Sequence, residues 1–305
     1  MRAAPTLDPS SRASAVGLVL AAVVSVQFGG ALAATLLPIV GVAGSVTLRL
    51  LVAAVVLLLV ARPRIRGRSR GDWATVVAFG LALAAMNTSF YASLVHLPIG
   101  VAVTVEFIGP LVLAAVLSRR VLDGVAVVVA AAGVVLISRI VDTDGAAVDV
   151  VGLGLALTAG ACWAAYILLS ARVGARFARL DGLAIALVVA SVVVTPFGVA
   201  GHGSRLVDPH PLLVGAGVAL LSSVLPYSLE LLALRRLPAH VFGVLLSLEP
   251  AVAALAGFLV LSQTLAPAQL VGMLLVVAAS AVVTRRDPAD PEQEAPSGPQ
   301  TDAGP

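Results

Sequence analysis

Apolar runs of membrane-spanning length recur along this chain, separated by short polar stretches. They lie near residues 15–37, 44–61, 73–95, 98–117, 123–140, 151–170, 182–200, 211–233, 240–261 and 267–284. A bilayer core of roughly 30 Å is crossed by about 20 helical residues at 1.5 Å of rise each. The pattern predicts an all-α membrane protein with ten transmembrane helices. Residues 1–14 form a polar N-terminal tail. Residues 285–305 are rich in Pro, Asp, Glu and Gly, a composition expected to be disordered. Arg2 and Arg12 precede the first run, and Ala31-Leu32-Ala33 has the look of a signal cleavage site. The run nevertheless exceeds the roughly 7–15 apolar residues of a signal peptide, so it is expected to stay as a helix.

Composition explains the solvent this pattern needs. Hydrophobic residues make up 60% of the chain and charged residues 11%, against roughly 25% charged in a soluble domain. Aromatic residues are only 4%, so Ala, Val, Leu and Gly carry the hydrophobicity. Small residues allow helices to approach closely within lipid. The net charge of +3 does not point to nucleic acid, because the 19 basic residues, all arginine, are sorted by loop. With the N-terminus cytoplasmic, one side holds Arg2, Arg12, Arg62, Arg64, Arg66, Arg68, Arg70, Arg119, Arg120, Arg172, Arg176, Arg179, Arg235, Arg236, Arg285 and Arg286. The other side holds Arg139 and Arg205, with an acidic stretch at Asp142, Asp144 and Asp149. This bias follows the positive-inside rule and predicts that both termini are cytoplasmic.

The chain also repeats itself. Leu97-Pro98 and Pro110 recur as Leu237-Pro238 and Pro250, each pair 140 residues apart. Two five-helix halves are predicted, at 15–140 and 151–284. Five is odd, so the second half is inverted relative to the first. Inverted repeats place a transporter's binding site near mid-membrane, between the halves.

Four ionisable residues fall inside the apolar runs: Arg49, Glu106, Glu230 and Glu249. Buried charge is expensive in lipid, so such residues line cavities, find partners or become neutral. Glu106 and Glu249 lie near mid-depth on equivalent helices and precede Pro110 and Pro250. Proline removes a backbone hydrogen bond and kinks the helix. Both glutamates are candidates for carrying a proton or binding an amine. Glu106 is the preferred proton site; Glu249 is second, with stabilisation of the kink at Pro250 as its alternative role. Glu230 is a weaker candidate, since it can extend toward Arg235 or Arg236. Arg49 suits either a substrate carboxylate or a structural partner within the bundle. Gln27, Asn87, Tyr166 and Tyr227 add polar atoms along a possible path. Gly29-Gly30 reads as either a close helix contact or a flexible point. Cys162 reads as a packed residue, and His96, His202, His210 and His240 as interfacial ones rather than metal ligands. No P-loop, HExxH, GxSxG or CxxC motif occurs. Neither an ATP-driven motor nor an enzyme is indicated, and no cofactor or metal is expected.

The segments at 25–41, 47–50, 101–111 (VAVTVEFIGPL), 160–172 (GACWAAYILLSAR), 226–238 (PYSLELLALRRLP) and 242–257 (FGVLLSLEPAVAALAG) carry a resemblance. The chain resembles the drug/metabolite transporter superfamily of the EamA type, and within it the bacterial threonine/homoserine exporter group. The resemblance covers roughly residues 15–285. It implies an inner-membrane exporter of small amino acids driven by the proton gradient, with the amino acid, protons and the bilayer as partners. Another metabolite or drug is the alternative substrate; an intramembrane enzyme or a non-transporting scaffold is the alternative class.

Overall fold

The structure, a computed structural model, describes residues 9–118, 121–138, 149–178, 180–226, 229, 233 and 245–284. Every regular element among them is helical: α1 (Pro9–Ala34), α2 (Leu37–Ala61), α3 (Arg70–Ser93), α4 (Ile99–Glu106), α5 (Ile108–Ser118), α6 (Val121–Ser138), α7 (Val150–Arg176), α8 (Asp181–Leu206), α9 (Pro209–Ala219), α10 (Glu249–Leu261) and α11 (Pro267–Thr284). A wide π-helical turn, Leu220–Val224, continues α9. Among the described residues, six stretches are long and apolar enough to cross a membrane: Ser14–Ala34, Leu37–Ala61, Arg70–Ser93, Ile99–Leu117, Val150–Arg176 and Asp181–Leu206. Shorter apolar helices are Gly124–Leu136, Pro209–Val224, Glu249–Leu261 and Pro267–Val282.

The outer faces confirm lipid as the solvent. Leu59, Val128, Phe197 and Leu274 are each about two-thirds exposed, on a scale that a water-soluble monomer does not show. Inside, small residues dominate. α2 packs along α8, α3 along α7, and α6 along α11. α1 lies against α9 and α10, while α7 lies against α3, α4 and α5. α4 also touches α10, α3 touches α8, and α2 touches α9.

Local signals set the ends. Ser69 and Asp72 close a reciprocal capping box on α3, which satisfies two amides that the first turn would leave bare. Asp149 caps α7 by accepting from the amides of Val151 and Gly152. Several boundaries differ from expectation: α1 already begins at Pro9 rather than near 15, and α7 runs on to Arg176 rather than 170. The second helix begins at Leu37 rather than 44, because Gly41 takes φ 65° and lets the helix kink instead of ending. α8 continues beyond 200 to Leu206, through a non-helical residue at His202.

Two interruptions fall at corresponding places. α4 stops at Glu106, and after Phe107 the chain resumes as α5. α10 starts at Glu249, after a turn at Ser247 and Leu248. Pro110 and Pro250 each lack the N–H that would bond the carbonyl four residues earlier, at Glu106 and Leu246.

Candidate functional site

The breaks border a cavity of about 620 Å³ at mid-bundle, within the roughly 300–1,000 Å³ typical of small-molecule sites. Its wall includes Gln27, Arg49, Asn87, Glu106, Tyr166 and Glu249, brought together from α1, α2, α3, α4, α7 and α10. Pro110 also lines it, whereas Pro250 is buried behind Glu249. Glu230 and Tyr227 lie outside the described residues, as do His240, residues 1–8 and residues 285–305; residues 9–14, expected as tail, instead open α1.

The two acids have different surroundings. Glu249 is 8% exposed, and Gln27 Nε2 donates to its Oε2 at 3.3 Å. Glu106 is 9% exposed and ends its half-helix. It accepts no hydrogen bond among the described residues. The Arg49 guanidinium lies within electrostatic range of it.

Arg49 is held by its neighbours. Its Nη1 donates to Tyr91 Oη at 3.2 Å and its Nη2 to the Ser222 carbonyl at 3.4 Å. The guanidinium also sits 5.6 Å from the Tyr91 ring centroid, in range of a cation–π contact. Ser222 belongs to the π-helical turn, and Ser25 Oγ donates to the neighbouring Leu221 carbonyl at 2.7 Å. Side chains of α1 and α2 thus satisfy carbonyls at a point where the helix is widened, and such widened turns are frequent at functional sites. Gly29 is a close contact: a Cβ there would meet Ser222 Oγ and come within 2.9 Å of Leu221 Cβ.

Other wall residues are apolar and carry no charge signal. Trp163 and Phe107 meet edge to face, with centroids 5.3 Å apart, and Phe90 lies nearby. The signal that finds them is spacing. Residues 163, 166, 167 and 170 share one face of α7, and 103, 106, 107, 110, 111 and 114 share one face of α4–α5.

Among the described residues, the helices close together on one side of the acids. Gly100 abuts Ala254, and a Cβ there would lie 2.9 Å from it. The Ile99 amide donates to Gln263 Oε1 at 3.0 Å. Beyond, His96 Nδ1 is 2.6 Å from Asp149 Oδ2. The cavity instead reaches Ala114 and Ser170, at the other end of the same helices. At that end Arg68 donates to the carbonyls of Arg64 and Arg176. It also covers the Phe177 ring at 4.4 Å and lies 4.0 Å from Asp181. The 62–70 arginine run thereby ties the α2–α3 loop to the α7–α8 loop.

The EamA-like transporter family matches residues 150–285. The threonine/homoserine exporter RhtA of Escherichia coli (strain K12) is 40% identical over 263 residues, covering 86% of this chain and 88% of the relative. The protein of the same name from Salmonella typhimurium (strain LT2) is 38% identical over 274 residues, covering 89% and 92%. The chain belongs to the EamA-like transporter family. It is a multi-pass membrane transporter and not an enzyme.

Proposed function

We propose that this family member is a secondary active exporter of threonine- and homoserine-like amino acids across the inner membrane, working by proton antiport. The observation that carries the reading is the cavity itself. It offers two carboxylates and one guanidinium, with a few neutral polar groups, within a largely apolar wall, the complement of a small zwitterion. The names of the relatives point to the same substrates.

The ten-span, inverted-repeat architecture belongs to this proposal. Exchanging the first five spans with the last five turns the α3–α7 contact into α9–α1, and α5–α7 into α10–α1. It turns α3–α8 into α9–α2, and it leaves α2–α8 and α6–α11 unchanged. All of these contacts are present, and the helix breaks at Phe107 and Ser247 are also 140 residues apart. With both termini cytoplasmic, the cavity reaches the cytoplasmic side, where an exporter loads.

Glu106 is the coupling residue in this mechanism. With no hydrogen-bond partner among the described residues, its carboxylate is available either to a proton or to the substrate ammonium. The two compete for one group, so loading one releases the other. Glu106→Gln keeps the shape and removes titration. In vesicles with an imposed pH difference, the parent should accumulate labelled threonine against its gradient. Glu106→Gln should exchange threonine passively without accumulating it. Accumulation by Glu106→Gln equal to the parent's would remove Glu106 from coupling. A parent that moves some other solute but not threonine would correct the substrate.

A further inference from the structure

Resting on this exporter reading, we infer that Asn87 selects hydroxylated substrates, its Oδ1 accepting a hydrogen bond from the side-chain hydroxyl of the transported amino acid. Asn87 lies well inside α3 and is 4% exposed. Its Nδ2 donates to the Leu83 carbonyl one turn back, at 2.8 Å. That bond fixes the amide's orientation, because only the nitrogen can donate to a carbonyl. The opposite end, Oδ1, therefore faces the cavity that Asn87 lines, and it has no partner among the described residues.

Once a bound substrate displaces water from the cavity, an acceptor left bare is costly, and a ligand donor that fills it gains specificity from that cost. The charged ends of a zwitterion have better matches elsewhere in the same wall. An ammonium binds a carboxylate in a charge-assisted bond about twice as strong as a neutral one, and Glu106 and Glu249 supply carboxylates. A substrate carboxylate has no use for a carbonyl oxygen. The remaining polar group of threonine or homoserine is its hydroxyl, a neutral donor suited to a neutral acceptor. Met86 and Phe90, neighbours of Asn87 on α3, also line the cavity and offer no acceptor oxygen of their own.

The test compares threonine with 2-aminobutyrate, the same skeleton without the hydroxyl, in export from loaded vesicles. The parent should prefer threonine, and equal rates would overturn the proposal. Asn87→Leu keeps the volume and removes the acceptor, so the threonine to 2-aminobutyrate ratio should fall by roughly tenfold. Asn87→Asp keeps an acceptor oxygen in place and should retain most of the preference. A ratio that Asn87→Leu leaves intact, or an equal loss of both substrates, would assign Asn87 a structural or ammonium-binding role and overturn the inference. Should Asn87→Leu fail to fold, the parent's preference and that of Asn87→Asp still decide it, because a ratio near one in either overturns it. A parent that exports neither compound would instead sink the exporter reading itself.

Discussion

Glu106 and Glu249 have the same side chain at similar depth, yet they are placed for different work. Glu249 opens a half-helix and is engaged by Gln27. Glu106 closes one and is left to the cavity and the field of Arg49. A carboxylate already bonded within the protein orients its surroundings, whereas one without a donor can change partners during a cycle. Outside the bundle, a third carboxylate reports on the closed end. The hydrogen bond with His96 holds the Asp149 carboxyl below its ordinary range, and the Val151 amide adds to this. A carboxyl lowered in the folded state contributes stability above its unfolded value, and that contribution is lost as pH falls through the folded value. Amide exchange at Val151 and Gly152 should therefore speed up only in strongly acidic buffer. His96→Ala should move that onset to higher pH. An onset indifferent to His96 would mean that the pair does not form in the membrane.

At the scale of elements, the most demanding contact is between α5 and α7. A Cβ on Gly109 would overlap the backbone of Gly160, and one on Gly160 would overlap the carbonyl of Glu106. Gly160→Ala must push the two helices apart at the level of the site, at a cost of about 1–3 kcal/mol. Gly154→Ala, on the same helix with nothing within 4 Å, should be neutral or stabilising by about 0.5–1 kcal/mol. Thermal melting in detergent compares the two, and equal melting temperatures would show that α7 does not seat as described. Contacts of this kind were invisible in the sequence, where glycine reads alike whether it abuts a helix or faces lipid. The interruptions were half legible: Pro110 and Pro250 announced kinks, but the turn at Phe107 depends on the backbone. Charge made Arg49, Glu106 and Glu249 conspicuous among apolar neighbours. Trp163 and Phe107 share the wall unannounced, because aromatic residues in a membrane helix face lipid, protein or cavity with the same spelling. The role of Arg49 was ambiguous because its partners, Tyr91 and Ser222, are 42 and 173 residues away.

For the whole molecule, the proposed arrangement is a bundle of ten spans with both ends cytoplasmic. Reporters fused after residues 40, 97, 145, 205 and 264 should lie outside, and those after 66, 120, 176 and 236 inside. Two adjacent loops reporting one side would break both the count and the inversion. The bonds of Arg49 also bear on how such a bundle is made. Arg49 enters the bilayer with α2, but the Ser222 carbonyl is synthesised 173 residues later. At roughly 5–20 residues per second, that interval is on the order of 10–35 s. A guanidinium without its final partners in lipid costs at least about 2.5 kcal/mol. Tyr91 arrives first, with α3, and gives the nascent chain an early acceptor and an aromatic face. The arrangement predicts an order of assembly: α2 and α3 meet first through Arg49 and Tyr91, and the turn after α9 joins them later, ahead of α10 and α11.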